Sequence, residues 1–253
     1  MTDTFNPEDR RITTQAKYLA MLLPFMSKQE TRYYLNGIYV TPHPADDGIL
    51  LVATDGHRMG IIHDRDGSCE HGPWTCTIPK RATATLKIRP GVKNLHTKPC
   101  LAHFCGQALF ITSFGFEPDD DPTSFGAHHL IGCHAGAING TYPEWQKVVP
   151  TGIGKRTAKH LSFNPTYLAD FKQVARLSGI DHPVVTIFAP DTPNGPSRIL
   201  VQNVPEFAGV IMPCREEGVL DQRWLDQAIT KLRKPKKQTK PKRKIATPAK
   251  KAA

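Results

Sequence analysis

Apolar positions recur along this chain in two periods, and the alternation between them marks three similar stretches. In the first, Leu19, Leu22, Leu23 and Met26 follow Thr13-Thr14 at intervals of three or four residues, the spacing of one helix face. Shorter apolar runs at 33–40, 49–53, 59–63 and 74–78 then predict strands. The second stretch opens at Pro79-Lys80-Arg81, with a weaker helix through Leu86 and Ile88. Thr83 and Thr85 lower its propensity because branched side chains lose χ1 freedom there. Strands are expected at 100–104, 109–113 and 130–138, with an exposed acidic, proline-bearing loop at 117–122.

The third stretch predicts the best-defined helix. Asn164 suits the N-cap, Pro165 the first helical position and Gly179 the stop. Leu168, Phe171 and Ala175 form its apolar stripe, with Lys172, Gln173 and Arg176 turned elsewhere. Strands follow at 184–188, 198–201 and 209–212, and the first two are separated by a turn at 191–196. Helix-plus-strands repeated three times, in units of roughly 65–70 residues, predicts an α+β fold.

Charge separates a body from a tail. Residues 231–253 hold eleven of the 33 Lys and Arg and no acid, which leaves 22 basic against 23 acidic residues in the rest. So lysine- and proline-rich a segment buries too little to offset its ordering entropy and is expected to be disordered. It suits polyanions such as nucleic acid, or serves only for solubility. Just before it, Trp224, Leu225, Ala228, Ile229 and Leu232 predict a short amphipathic helix over 221–233. No apolar run approaches the length of a membrane span and the polar N-terminus lacks a signal-peptide core, so a cytoplasmic protein without membrane contact is expected.

The six cysteines are scattered, as reduced thiols would be, and Cys100, Cys105 and Cys133 lack the tight pairs of a structural zinc site. Neither a nucleophile elbow nor a glycine-rich phosphate loop is present. The expectation is a non-enzyme needing no cofactor, and a hydrolase or metal enzyme built from the histidines and cysteines is the rival.

Specific motifs carry the reading further. Arg32-Tyr33-Tyr34-Leu35-Asn36-Gly37 precedes Ala53-Thr54-Asp55-Gly56-His57-Arg58-Met59. Tyr142-Pro143-Glu144-Trp145-Gln146-Lys147-Val148-Val149-Pro150, Phe163-Asn164-Pro165-Thr166-Tyr167-Leu168 and Val210-Ile211-Met212-Pro213-Cys214-Arg215 follow in order. Together they resemble the middle domain and the end of the third domain of the bacterial DNA sliding clamp, the beta subunit of DNA polymerase III. The resemblance is collinear over about residues 11–215; the family's first domain and half of its third have no counterpart. Met59, Lys147 and Cys214 depart from the leucine, arginine and methionine usual there.

The resemblance implies the DNA clamp fold, with a two-unit domain at 9–150, a half domain at 151–216 and an extension at 217–253. It implies a cleft for partner peptides formed by Leu35, Thr54, Gly56, His57, Arg58, Met59, Pro143, Lys147, Val148, Val210, Ile211, Met212, Pro213, Cys214 and Arg215. Partners would be double-stranded DNA, a DNA polymerase and the subunits of an ATP-driven clamp loader. A ring that slides needs diffuse positive charge rather than base-reading contacts. Lys17 and Lys28 on the first helix, Lys80, Arg81 and Lys87 on the second, and Lys172 and Arg176 on the third would supply it. Tyr33 and Tyr34 resemble a loop that touches DNA in the family.

Family rings contain about twelve such units, so a chain of three would close as four copies, joined head to tail. The third unit is expected to expose a sheet edge and an uncovered helix face. The rival within the same fold is a protein that captures clamp-binding peptides without encircling DNA.

Overall fold

The computed structural model describes residues 10–86, 100–113, 129–150, 161–180, 184–190, 192, 194–214 and 223. The chain divides into two compact bodies, Met1–Arg215 and Glu216–Ala253, and the fold described below, three repeated units, belongs to the first. The expected loop at 117–122, the end of the second helix at Ile88, the helix over 221–233 (apart from Arg223) and the basic tail lie outside the described residues.

Unit one runs β1 (Arg11–Gln15), α1 (Ala16–Leu22), β2 (Gly37–Pro42), β3 (Ile49–Thr54) and β4 (Arg58–Asp64), followed by the short β5 (Ser68–Glu70). Unit two runs β6 (Trp74–Thr77), α2 (Lys80–Leu86), β7 (Leu101–Cys105), β8 (Ala108–Thr112) and β9 (His129–His134). Unit three runs α3 (Pro165–Leu177), β10 (Val185–Ile187), β11 (Ser197–Val201) and β12 (Phe207–Ile211).

Two antiparallel sheets result, with orders β5-β1-β7-β8-β9 and β10-β11-β12-β4-β3-β2-β6. Units one and two exchange their first strands: β1 lies against β7 and β6 against β2. Units one and three meet through β4 and β12, with Gly60 opposite Gly209. The helices follow the same arrangement, since α1 touches both α2 and α3.

α1 has an apolar position at nearly every residue, and all but Lys17 are buried. Its continuation is a 3-10 turn over Leu23–Phe25, where Pro24 ends the α pattern. Phe25 packs edge-on against Phe171 of α3, ring centroids 5.1 Å apart, and Phe207 of β12 lies 5.9 Å from Phe25. A Cβ at Gly209 would collide with the Phe171 ring, so the aromatic contact requires glycine there. These rings belong to one apolar core that spans all three units.

Two expectations are corrected here. The helix face of unit three is not left uncovered: Phe171, Val174, Ala175 and Leu177 are buried in the shared core, and β12 continues the sheet of unit one. The strand expected from Tyr33 begins only at Gly37, because 30–35 coil into 3-10 turns that leave Tyr33 54% exposed. The third helix ends as the sequence predicts. Asn164 Oδ1 accepts the Thr166 N–H at 2.9 Å, Pro165 opens the helix, and Gly179 follows its C-cap at φ +73°. Asn164→Ala is expected to lower stability by about 1 kcal/mol, read as a lower urea midpoint with an unchanged slope.

Candidate partner cleft and helix face

The segment Thr54–Arg58 is a tight turn fastened by its own side chains. Thr54 Oγ1 donates to the Arg58 carbonyl at 2.8 Å and accepts from the Gly56 N–H at 3.1 Å. Asp55 Oδ1 accepts the His57 and Arg58 N–H groups at 2.9 and 3.0 Å. Gly56 adopts φ +90°, and a Cβ there would press on the Arg32 guanidinium at 2.8 Å. The turn thereby presents His57 outward and aims Arg58 inward.

Arg58 is the joint between units one and three. Its guanidinium pairs with Asp55 at 2.6 Å and Asp170 of α3 at 2.8 Å, donates to the Pro24 carbonyl at 2.7 Å, and lies 4.4 Å above the Tyr167 ring. His57 stacks on the same Tyr167 ring, centroids 5.6 Å apart. Burial pushes the Asp170 carboxyl above its ordinary value, which Arg58 opposes and Asp55 reinforces. The chain after β12 is tied to the same turn, because the Met212 N–H donates to the His57 carbonyl at 2.9 Å.

A second anchor fixes the opposite wall. Tyr142 is buried, stacks on Tyr39 with centroids 4.8 Å apart, and donates to the Val52 carbonyl at 3.4 Å. Burial raises its hydroxyl pKa, so it stays a neutral donor. From this pin the chain rises through Pro143 into a 3-10 turn over Trp145–Val148.

Between the walls lies an apolar cleft of about 220 Å³ lined by Leu35, Thr54, Gly56, His57, Arg58, Met59, Pro143, Glu144, Trp145, Val148, Val210 and Met212. Its floor is a small second core of Leu35, Val52, Met59, Ile61, Tyr142 and Val210. Val148 and Met212 stand exposed at the rim. A cleft of this kind accepts apolar anchors of a peptide and excludes water around them. Trp145 Nε1 and Arg58 Nε are buried beside it with no acceptor among the described residues.

Not every residue expected in the cleft lines it. Ile211 is fully buried in the main core, since strand alternation turns it away from Val210 and Met212. Lys147 points outward and pairs with Glu144. Pro213 and the exposed Cys214 continue past the cleft, where the Cys214 N–H donates to the Ser162 carbonyl at 2.7 Å; Arg215 lies outside the described residues. Glu144 and Trp145 were not expected. The signal was present in the i, i+3 spacing of Trp145 and Val148.

The helices carry a one-sided charge. Together α1, α2 and α3 hold Lys17, Lys80, Arg81, Lys172 and Arg176 against one acid, Asp170, which Arg58 already engages. Lys80 and Arg81 are exposed at the start of α2, and Lys172 and Arg176 lie exposed one turn apart on α3. Lys17 is partly exposed over its neighbour Tyr18, at 4.8 Å from the ring. Lys28 is exposed but lies beyond α1, contrary to its expected place on that helix. Lys87 lies outside the described residues. Tyr33 and Tyr34 meet edge to face at 5.9 Å. Among the described residues no helix is long and apolar enough to cross a membrane.

Set beside known proteins, the chain is 23% identical over 133 residues to the beta sliding clamp of Synechococcus elongatus and 27% identical over 134 residues to that of Caulobacter vibrioides. Each match covers about half of this chain and 31% of the relative's length. No family model matches the chain. Among solved structures, the DnaN sliding clamp of Bartonella birtlesii bound to griselimycin aligns with TM-score 0.52 at 19% identity, over 85% of this chain and 68% of that one. The C. crescentus clamp aligns with TM-score 0.54 at 18% identity, over 84% of this chain and 68% of its own. The polymerase III beta subunit of Thermotoga maritima aligns with TM-score 0.53 at 13% identity, over 85% and 68%. The chain therefore has the α+β fold of the DNA polymerase III beta clamps.

Proposed function

Taking the chain as a relative of the bacterial beta sliding clamps, we propose that it is a clamp subunit that encircles duplex DNA and tethers a DNA polymerase and other replication or repair partners. The observation that carries this reading is the helix layer, five cations against one acid that is already paired. Such a surface attracts phosphates without reading bases, which is what a sliding contact requires. On a different part of the same chain, the cleft between the Thr54–Arg58 turn and Trp145–Val148 is shaped for a partner's apolar anchors. No catalytic step belongs to this reading. Loading onto DNA is assigned to a separate ATP-driven loader, and the work is placed in the cytoplasm, where the DNA lies.

The ring is proposed to contain four chains, three units from each giving twelve, with 9–150 as a complete two-unit domain, 151–216 as half of one and 217–253 as an extension. Light scattering at micromolar concentration is expected to give about four times 28.1 kDa. A stable monomer or dimer would overturn the ring and favour the reading in which the protein only captures clamp-binding peptides. That second reading draws on α1, whose single partly exposed cation is Lys17. The lysine-rich end is proposed to add sequence-independent affinity for DNA. Deleting residues 234–253 should weaken binding and flatten its salt dependence, by about 0.9 log unit for each phosphate the shortened chain leaves unneutralised. An unchanged slope would make that segment a solubilising one.

A further inference from the structure

Resting on the reading of the cleft as a partner site, we infer that Arg198 extends that site onto unit three and selects partners with a carboxylate beside their apolar anchors. Thr54 of β3, Met59 of β4, Val210 of β12 and Arg198 of β11 oppose one another in a row across four strands. Directly opposed residues of antiparallel strands share a face, with Cβ atoms about 5 Å apart. The first three of the row line the cleft. Arg198 is the fourth, so its side chain starts at the edge of the same surface.

Its surroundings leave this cation without a counter-charge. The Arg198 Nε is buried and finds no acceptor among the described residues. Asp55 and Glu144, beside the cleft, are already paired with Arg58 and Lys147. Beyond Val210, Arg198 borders an open hollow of about 680 Å³, where Thr186, Gln202 and Asn203 add polar groups. A partner chain that fills the cleft and continues over Val210 meets a cation with hydrogen-bonding neighbours.

The chemistry and the side of the sheet choose the ligand. A guanidinium partly withdrawn from water gains most from an anion that matches its planar fork of N–H donors, as a carboxylate does. The phosphates of a threaded duplex lie on the wrong side. Ile199, next to Arg198, is buried in the core that also holds Phe171 of α3. Strand alternation turns Arg198 to the opposite face. It therefore lies across the sheet from α3, and a duplex running along the helices does not reach it.

A fluorescent clamp-binding peptide with blocked ends, made with glutamate or with glutamine on both flanks of its apolar anchors, tests this. The wild-type protein should bind the glutamate form about tenfold more tightly, the scale of one charge-assisted hydrogen bond at a partly exposed site. Arg198→Gln should abolish that preference and leave affinity for the glutamine form unchanged, which also reports that the variant is folded. A third peptide, the glutamine form with a free terminal carboxylate, distinguishes a side-chain source from a chain end; recovery of the tight binding there assigns the carboxylate to the terminus. Equal wild-type affinity for all three peptides would overturn the inference and leave the cleft standing, whatever the variant does. A preference that survives Arg198→Gln would overturn it too. If no peptide binds the wild type, the cleft is not a partner site and the inference falls with it.

Discussion

Replacing Met212 by aspartate is expected to weaken binding of a partner peptide by at least about thirtyfold, while the fold and assembly persist. Met212 is 36% exposed at the rim, so a carboxylate there stays hydrated in the free protein and costs little stability. Its backbone N–H on the His57 carbonyl holds the side chain over the cleft whatever residue stands there. A bound apolar anchor would bury that charge without a partner, and loss of a contact that acts as a hot spot costs about 2 kcal/mol or more. Titration of a fluorescent clamp-binding peptide checks this; unchanged affinity would remove Met212, and with it the rim of the cleft, from the binding site.

The second large effect concerns Arg58. Arg58→Ala is expected to cost about 3 kcal/mol of stability, the range for removing one partner of a buried ion pair. The loss arises mainly from what remains: Asp170, whose pKa is already raised by burial, is deprived of the cation that held it charged. Its titration should then move further up. The sign follows from proton binding: a carboxyl whose folded pKa exceeds its unfolded value binds more protons when folded, so stability falls as pH rises from the unfolded value towards the folded one. Urea unfolding of the variant across the acid range should therefore show stability declining with rising pH more than in the parent. Adding Asp170→Asn should recover part of the loss, because of the two carboxylates that Arg58 engaged only Asp55 then stays charged, and that one still accepts the His57 N–H. An Arg58→Ala protein as stable as its parent would mean that units one and three are held together by the β4–β12 pairing and the aromatic rings without this ion pair.

Much of the fold was legible locally. Asn164, Pro165 and Gly179 marked the third helix at both ends because caps are properties of a few adjacent residues. The strands from Ile49 and Met59 were found because every element of their pattern is short-range. What escaped had non-local causes. β1 is a five-residue strand of mixed polarity whose partners β5 and β7 lie far along the chain, so its edge gave little periodic signal. The aromatic run at Tyr33-Tyr34 imitates a strand, yet Asn36 Nδ2 donates to the Gln29 carbonyl across the base of the 3-10 turns.

The cleft was legible in the same uneven way. The motifs pointed to Met59, Val148, Val210 and Met212, which the structure brings together. Ile211 was misplaced although strand alternation alone forbids it from sharing a face with both neighbours. The role of Arg58 as a joint was not legible, because Asp170 and Pro24 reach it only after units one and three have paired through β4 and β12. That β9 and β10 end their sheets among the described residues is likewise known only from the order of strands.

The central claim is that four copies surround DNA and slide on it, and retention on circular plasmid tests it most directly. Protein loaded by its cognate clamp loader and passed through a sizing column should travel with closed circular plasmid in high salt, which screens the contacts of Lys80, Arg81, Lys172 and Arg176 with phosphate. A single double-strand cut should then release it, because a ring held only by topology runs off open ends. Equal retention on circular and linear DNA, or none on either, would contradict the account.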